Sequence, residues 1–141
     1  MSEVADACDV RQYRDGDKAF IMATFLRGLY YGDSWFSLIP KDIFMENYKR
    51  VAEALLVHPS TGVRVACLRE DPDVILGYCV HSTVSSTAHW MFVKAAWRKQ
   101  GIARKLLPFE PTTVSHLTAA GKSLVFEKFP NCVFNPFSVG G

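Results

Sequence analysis

The most informative part of the sequence is Arg98-Lys99-Gln100-Gly101-Ile102-Ala103 (residues 98–103), followed by Arg104-Lys105-Leu106-Leu107. It comes after a strand-like run that ends at Val93 and opens a short helical pattern, which predicts Gly101 at a strand-to-helix junction. Such a junction directs unpaired backbone N–H groups outward, and a glycine there lets a phosphate approach the main chain. The helix dipole also favours anions. The stretch therefore predicts a site for a di- or triphosphate group.

The distribution of charge favours the same site. The chain has a net charge of +2, but residues 1–73 hold nine Lys/Arg and twelve Asp/Glu, whereas residues 74–141 hold seven and two. No carboxylate occurs within residues 74–109, and the cations in that segment are Lys94, Arg98, Lys99, Arg104 and Lys105. A local excess of cations around one glycine turn attracts an anionic ligand.

Composition predicts a single globular domain over residues 1–141, because the length fits one core and the chain is 49% apolar and 21% charged. The cysteines form no C-x-x-C pair and the histidines no H-x-x-x-H, so no metal site is expected. The first six residues lack the pattern of a signal peptide, and no run of about 18 apolar residues occurs. We expect a cytoplasmic protein with reduced cysteines and no membrane partner.

Outward from the glycine turn, the pattern predicts an α/β (α+β) fold. Its expected central sheet is mixed and mostly antiparallel, with helices on both faces. Prolines at 108 and 111 limit the helix after Gly101 to about two turns. The predicted strands cover residues 10–14, 63–68, 74–83, 88–93, 114–116 and 132–134, and the other predicted helices cover residues 18–30, a segment from Pro40 to before Pro59, and about 118–129.

The pattern Arg98-x-x-Gly101-x-Ala103 resembles the Q/R-x-x-G-x-G/A acetyl-CoA signature of the GNAT superfamily of N-acyltransferases. The order of predicted elements also resembles that family, and the resemblance covers residues 10–137. It implies a single GNAT-like domain that uses acetyl-CoA as a co-substrate. The implied reaction is transfer of the acetyl group to a primary amine of a small molecule or peptide by direct attack on the thioester.

The resemblance also implies which residues hold the coenzyme. Main-chain N–H groups of residues 100–104 would bind the pyrophosphate, and the end of the fourth strand would pair with the pantetheine arm. A backbone N–H of that strand would polarise the thioester carbonyl. The residues assigned in this way are Met91, Phe92, Val93, Arg98, Lys99, Gln100, Gly101, Ile102, Ala103 and Arg104.

Catalytic groups are harder to assign, because acetyl transfer needs a base for the amine and an acid for the thiolate. The family often uses a tyrosine on the helix after the fifth strand, yet this chain has no tyrosine after Tyr78. We therefore predict His116 as the acid and His89 as the base. A packed core histidine is the alternative interpretation of His89. The other candidates on the expected acid segment are Ser115, Thr118 and Ser123.

The predicted acceptor site lies at the connection between the first two helices, a region that lines the acceptor site in the family. Tyr31 and Trp35 flank the flexible Gly32-Asp33-Ser34, and Asp33 would pair with an amine substrate. The alternative is that these aromatic residues belong to the core.

Other functions stay open at this point. The short signature helix also fits a GNAT-fold protein that is catalytically inactive and serves in binding or structure. The ending Asn135-Pro136-Phe137 resembles that of small GNAT-like proteins encoded by phages. An ordinary glycine turn before a basic surface helix is a further alternative. Nucleic-acid binding through the five cations and Trp97 is less favoured because the total charge is small. The oligomeric state is left open, a homodimer included.

Overall fold

The computed structural model describes residues 7–138, except for the side chains of Ala120, Ser123, Leu124 and Phe126. The strands are β1 (Cys8–Gln12), β2 (Thr61–Leu68), β3 (Ile75–Ser82), β4 (Thr87–Val93), β5 (Thr113–Val114) and β6 (Val133–Phe134). The α-helices are α1 (Lys18–Tyr30), α2 (Ser34–Ser37), α3 (Lys41–Val57), α4 (Ile102–Leu106) and α5 (Ala119–Lys128). Short 3-10 turns cover Asp15–Asp17 and Ala95–Trp97.

The strands form one sheet in the order β1-β2-β3-β4-β5-β6. Strands β1 to β4 pair antiparallel, whereas β4–β5 and β5–β6 pair in parallel. The predicted mixed α/β sheet is confirmed, but its parallel share is larger than the mostly antiparallel prediction allowed. The reason is the crossover through α4, which returns the chain to the sheet in the direction of β4.

Helices cover both faces of the sheet, as predicted. On one face, α1 and α3 pack on the central strands, and the ring of Phe25 stacks on Trp90 with centroids 4.0 Å apart. On the other face, Ile102 and Leu106 of α4 join a buried cluster with Met91. Helix α5 packs beside β5 in a smaller cluster. The glycine turn therefore lies at the edge of a rigid, double-sided core.

Strand β1 is the element whose prediction was displaced, from residues 10–14 to Cys8–Gln12. Arg14 belongs to the following turn, because its backbone N–H donates to the carboxylate of Asp17 at 2.8 Å and its carbonyl accepts from the Asp17 N–H. At the other end, Cys8 pairs with Leu68 and is fully buried.

A β-bulge in β4 shapes the place where the sheet opens. Val80 pairs with Trp90 and His81 with Ala88, which leaves His89 as an extra residue in β4. Its carbonyl accepts a hydrogen bond from the His116 N–H at 2.9 Å. The β4–β5 ladder pairs Thr87 and Ala88 only. The second half of β4 thus faces α4 and α5 on that side.

Within residues 7–138, no helix is both long enough and apolar enough to cross a membrane.

Candidate functional site

A cavity of about 270 Å³ lies between the end of β4, the start of α4 and helix α5. Phe92 and Gln100 are the predicted coenzyme residues that do not line it. The other predicted coenzyme residues do, and they are Met91, Val93, Arg98, Lys99, Gly101, Ile102, Ala103 and Arg104. The structure therefore brings most of the predicted set to one cavity.

The glycine turn has the backbone that a phosphate site needs. Gly101 has φ 86° and ψ 0°, and Lys99 also has a positive φ of 60°. A Cβ built on Gly101 meets no atom within 4 Å, so a side chain there would project into open space. Helix α4 has no side-chain cap at this end. Its first N–H groups therefore have no acceptor from a capping side chain, and the helix begins among residues that line the cavity.

The charges of this cavity differ from those predicted. Lys94 lies over the ring of Phe20 at 5.4 Å, and the Lys105 ammonium donates to the carbonyl of Cys8. Only three of the five predicted cations line the cavity: Arg98, Lys99 and Arg104. Lys94 and Lys105 therefore direct their ammonium groups to other parts of the protein than this cavity. Helix α5 supplies two charged residues that sequence reasoning missed, Glu127 and Lys128.

Arg98 has a defined place at the end of β4. Its Nε donates to the carbonyl of Val93 at 2.7 Å, and its guanidinium carbon lies 5.9 Å from the centroid of the Phe92 ring. The Val93 carbonyl is therefore already paired. The carbonyl of Met91 faces α5, 3.5 Å from where a Cβ of Gly121 would lie.

A second cavity, of about 610 Å³, lies between α1, the sheet and the start of α5. Arg98 and Ala119 line both cavities, so the two meet at these residues. The lining residues are Thr24, Arg27, Gly28, Tyr31, Tyr78, Trp90, Phe92, Arg98, Thr118 and Ala119.

Of the predicted acceptor residues, only Tyr31 lines this second cavity. The carboxylate of Asp33 accepts a hydrogen bond from the Trp35 N–H at 2.8 Å and caps α2. Trp35 is 63% exposed and packs edge-on against Phe36. Asp33 and Trp35 thus lie outside the lining of both cavities.

The phenol of Tyr78 is held at the floor of the second cavity. It donates to the carbonyl of Ile21 at 3.2 Å, lies 2.6 Å from the Thr24 hydroxyl and accepts from the Trp90 indole at 3.2 Å. Burial raises the pKa of Tyr78 far above its usual value. This phenol stays protonated and fully hydrogen-bonded, which makes it a structural group.

The two predicted catalytic histidines are joined through Ser115. The Nδ1 atoms of His89 and His116 each lie 2.9 Å from the Ser115 hydroxyl oxygen. Burial, followed by the neighbouring imidazole charge, lowers the pKa of each histidine to about 4. Neither ring belongs to the lining of either cavity. The array links β4 to β5 where the two strands separate.

The remaining hydroxyl candidates have other roles or lie outside the description. The Thr118 hydroxyl accepts from the Gly121 N–H at 3.0 Å and caps α5. The side chain of Ser123 lies outside the described residues.

Within residues 7–138, no three His, Cys, Asp or Glu side chains are grouped to hold a metal ion.

The buried histidines predict an acid-sensitive fold. A histidine whose folded-state pKa is about 4 and whose unfolded value is 6.5 stabilises the protein fully above pH 6.5 and progressively less as pH falls toward 4. We expect each imidazole to lower the free energy of unfolding by about 2 kcal/mol between pH 7.5 and 5. Urea denaturation of native and His116→Gln protein at both pH values checks this. The prediction is wrong if the variant loses as much stability as the native chain.

The described elements define an α/β fold with a mixed six-stranded sheet, in which two cavities meet beside the bulged strand β4. No family model matches the chain, and no curated protein does. Among solved structures, it is similar to a possible acetyltransferase from Clostridium difficile, with 17% identity, 71% of this chain and 66% of that chain covered, and a TM-score of 0.49.

Two further solved structures are similar to the chain at comparable levels. One is an aminoglycoside N-acetyltransferase in complex with CoA (16% identity, 70% and 63% coverage, TM-score 0.46). The other is an acetyltransferase of the GNAT family from Staphylococcus aureus (19% identity, 72% and 61% coverage, TM-score 0.44). In each of the three comparisons the matched region spans less than two thirds of the other chain's length.

Proposed function

We propose that this chain is a single-domain GNAT-family N-acetyltransferase that moves an acetyl group from acetyl-CoA to a primary amine. The observation that carries the proposal is the pair of cavities that meet at Arg98 and Ala119. One cavity contains the uncapped glycine turn and its cations, and the other is larger and reaches the same end of β4. A donor and an acceptor held in these cavities would meet beside one strand.

In the first cavity, the backbone N–H groups at the start of α4 would bind the pyrophosphate, with Lys99 and Arg104 neutralising its charge. The apolar walls formed by Met91 and Val93 suit the pantetheine arm. The volume is near the lower end of ligand cavities, which hold about 300 to 1,000 Å³. It accommodates the middle of the coenzyme and leaves the adenosine on the surface.

In the reaction, the amine nitrogen attacks the thioester carbonyl, the C–N bond forms and the C–S bond breaks. The coenzyme leaves as a thiolate, which takes up the proton released by the amine. Among the described residues that line the second cavity there is no Asp, Glu or His. The amine must therefore lose its first proton to solvent. His89 and His116 would have a structural role, in which their hydrogen bonds to Ser115 hold β4 and β5 together.

This chemistry predicts the pH dependence of the reaction. For an amine acceptor of known pKa, log kcat/KM should rise with a slope of about one until that pKa is passed, because only the free amine attacks. Release of coenzyme A thiol, measured from pH 6 to 10, tests the prediction. His116→Gln should keep the same profile. An acidic limb that disappears in His116→Gln would place the imidazole in the catalytic step.

A specific observation also favours a second candidate, a non-catalytic GNAT-fold binding protein. The imidazoles lie outside both cavity linings and the Tyr78 phenol is fully hydrogen-bonded, so none of these three groups is placed to act as the acid or base at the end of β4. Calorimetry with acetyl-CoA and a thiol-release assay with a panel of amines separate the two. Binding with turnover supports the transferase, binding without turnover supports the second candidate, and no binding contradicts both.

A further inference from the structure

The second cavity has an uneven charge that the proposed reaction does not use. Arg27 of α1 and Arg98 both line it, and no carboxylate does among the described residues. Neither guanidinium takes part in an ion pair within residues 7–138, where the recorded pairs involve other cations. Arg27 belongs to α1, and Arg98 lies in the connection between the 3-10 turn Ala95–Trp97 and α4.

A third cation reinforces this charge at the rim. The Lys41 ammonium donates to the Tyr31 hydroxyl at 3.3 Å and lies 5.7 Å from the centroid of that ring. Tyr31 lines the cavity, so the Lys41 ammonium is separated from the cavity by the Tyr31 side chain alone. Asp33, the residue expected to attract a cationic amine, is occupied in capping α2 and lies outside the lining.

Part of the lining is aromatic. It contains Trp90, Phe92 and Tyr78; the Tyr78 ring stacks on Phe92 with centroids 5.8 Å apart, and its hydroxyl is already paired. Such a wall accepts the hydrocarbon body of a ligand, while the Arg27 guanidinium and the terminal N–H groups of Arg98, whose Nε is bonded to the Val93 carbonyl, can donate to carboxylate or phosphate oxygens. The cavity therefore combines an apolar surface with an anion-binding end.

We infer that the acceptor is an amine that also carries a carboxylate or phosphate group, which Arg27 and Arg98 bind. The inference rests on the proposed function, since it names the substrate class of that site. The same two cations disfavour a protonated amine beside them, so a bound acceptor is more easily deprotonated for attack. This offsets the missing side-chain base. Polyamines, which have a second positive charge in place of the anion, are poor acceptors for the same reason.

The test uses four probes of matched length: 6-aminohexanoate, 6-aminohexyl phosphate, hexylamine and 1,6-diaminohexane. Their binding to the full chain saturated with coenzyme A is followed by tryptophan fluorescence, because Trp90 lines the cavity. We expect at least one of the two anionic probes to have a dissociation constant about tenfold lower than that of hexylamine, or lower still. The diamine should bind most weakly. The order of the two anionic probes then distinguishes a carboxylate from a phosphate acceptor.

Variants of Arg27 test the assignment directly. Arg27→Gln should reduce the preference for the anionic probe about tenfold, whereas Arg27→Lys should retain part of it. Arg50→Gln is the matched control, because Arg50 is an exposed helix residue paired with Glu46, and it should change nothing. Thermal unfolding of each variant checks that the fold is kept.

Equal binding of hexylamine and the anionic probes, or an unchanged preference in Arg27→Gln, overturns the inference. Turnover of the diamine in preference to the anionic amines overturns it as well and leaves the transferase proposal standing. Selective binding of an anionic amine without thiol release has the opposite meaning: it supports the anion site and contradicts the transfer reaction.

Discussion

Replacing Gly101 by aspartate raises the dissociation constant for acetyl-CoA by about 100-fold or more, a change of about 2.7 kcal/mol. The Cβ at this position projects into open space at the mouth of the first cavity, so the new carboxylate stands where the pyrophosphate is expected. Its negative charge repels the pyrophosphate and competes with it for Lys99. The left-handed backbone of residue 101, with φ 86°, adds strain of about 1 kcal/mol. Calorimetry on native and variant protein measures the change.

Gly101→Asn is the matched control for that variant. Asparagine has the size of aspartate and tolerates the left-handed region, but it brings no charge. We expect its affinity to fall by about tenfold, between native and Gly101→Asp. Gly16→Asp adds the same carboxylate at another open glycine far from the cavity, and it should leave affinity unchanged. Equal affinities of Gly101→Asp and native protein would contradict the assignment of the coenzyme site.

Replacing Asp17 by alanine lowers the free energy of unfolding by about 3 to 5 kcal/mol. The Asp17 carboxylate accepts two hydrogen bonds from the Arg11 guanidinium, both at 2.8 Å, and a third from the Arg14 N–H. The two side chains are only 6% and 12% exposed. Removing the carboxylate leaves the Arg11 charge with little water around it, which is the costly result. Urea denaturation at pH 7 measures the loss.

An exposed ion pair in the same region provides the control. The Asp9 carboxylate and the Arg69 guanidinium lie 3.0 Å apart, and their side chains are 50% and 57% exposed. Asp9→Ala should cost less than about 1 kcal/mol. Similar losses in the two variants would show that burial of the Arg11–Asp17 pair does not matter.

The Arg11–Asp17 pair also makes the fold sensitive to strong acid. The pKa of the Asp17 carboxyl is held below its usual 3.8, and the hydrogen bonds from Arg11 are the main cause. This contribution is present above the unfolded pKa of Asp17 and is lost as pH falls through the lower folded value. The stability from Asp17 is therefore lost at lower pH than the stability from the histidines. In a plot of unfolding free energy against pH, Asp17→Ala should remove the decrease at lowest pH and leave the decrease between pH 6.5 and 4 unchanged.

Much of the fold could be predicted from local sequence. The helix predicted over residues 18–30 is α1 as observed, and the three central strands differ from prediction by one or two residues at their ends. These elements have strong periodicity bounded by turn residues, which depends on neighbours close in the chain. The predicted bounds of β1 were wrong by two residues, because the ion pair at its end joins Arg11 to Asp17 in the following turn.

The candidate site was predictable only in part. The glycine turn and the end of β4 were found because the signature is contiguous in sequence. Arg27, Glu127 and Lys128 were missed, since nothing near them in the chain marks them as cavity residues. Lys105 was assigned to the site by its position in the sequence, yet its ammonium reaches back to β1. The His89–Ser115–His116 array likewise depends on the bulge in β4.

The order of the elements and the glycine turn follow from local sequence, because the left-handed backbone at Gly101 and the short helix before Pro108 are set by local sterics. Tertiary structure alone decided which charges face a ligand. Arg27 and Arg98 line one cavity only because α1 packs across β4, and α5 closes the first cavity only because β4 and β5 separate after His89. Side-chain direction follows from packing between distant segments, and no local pattern contains that information.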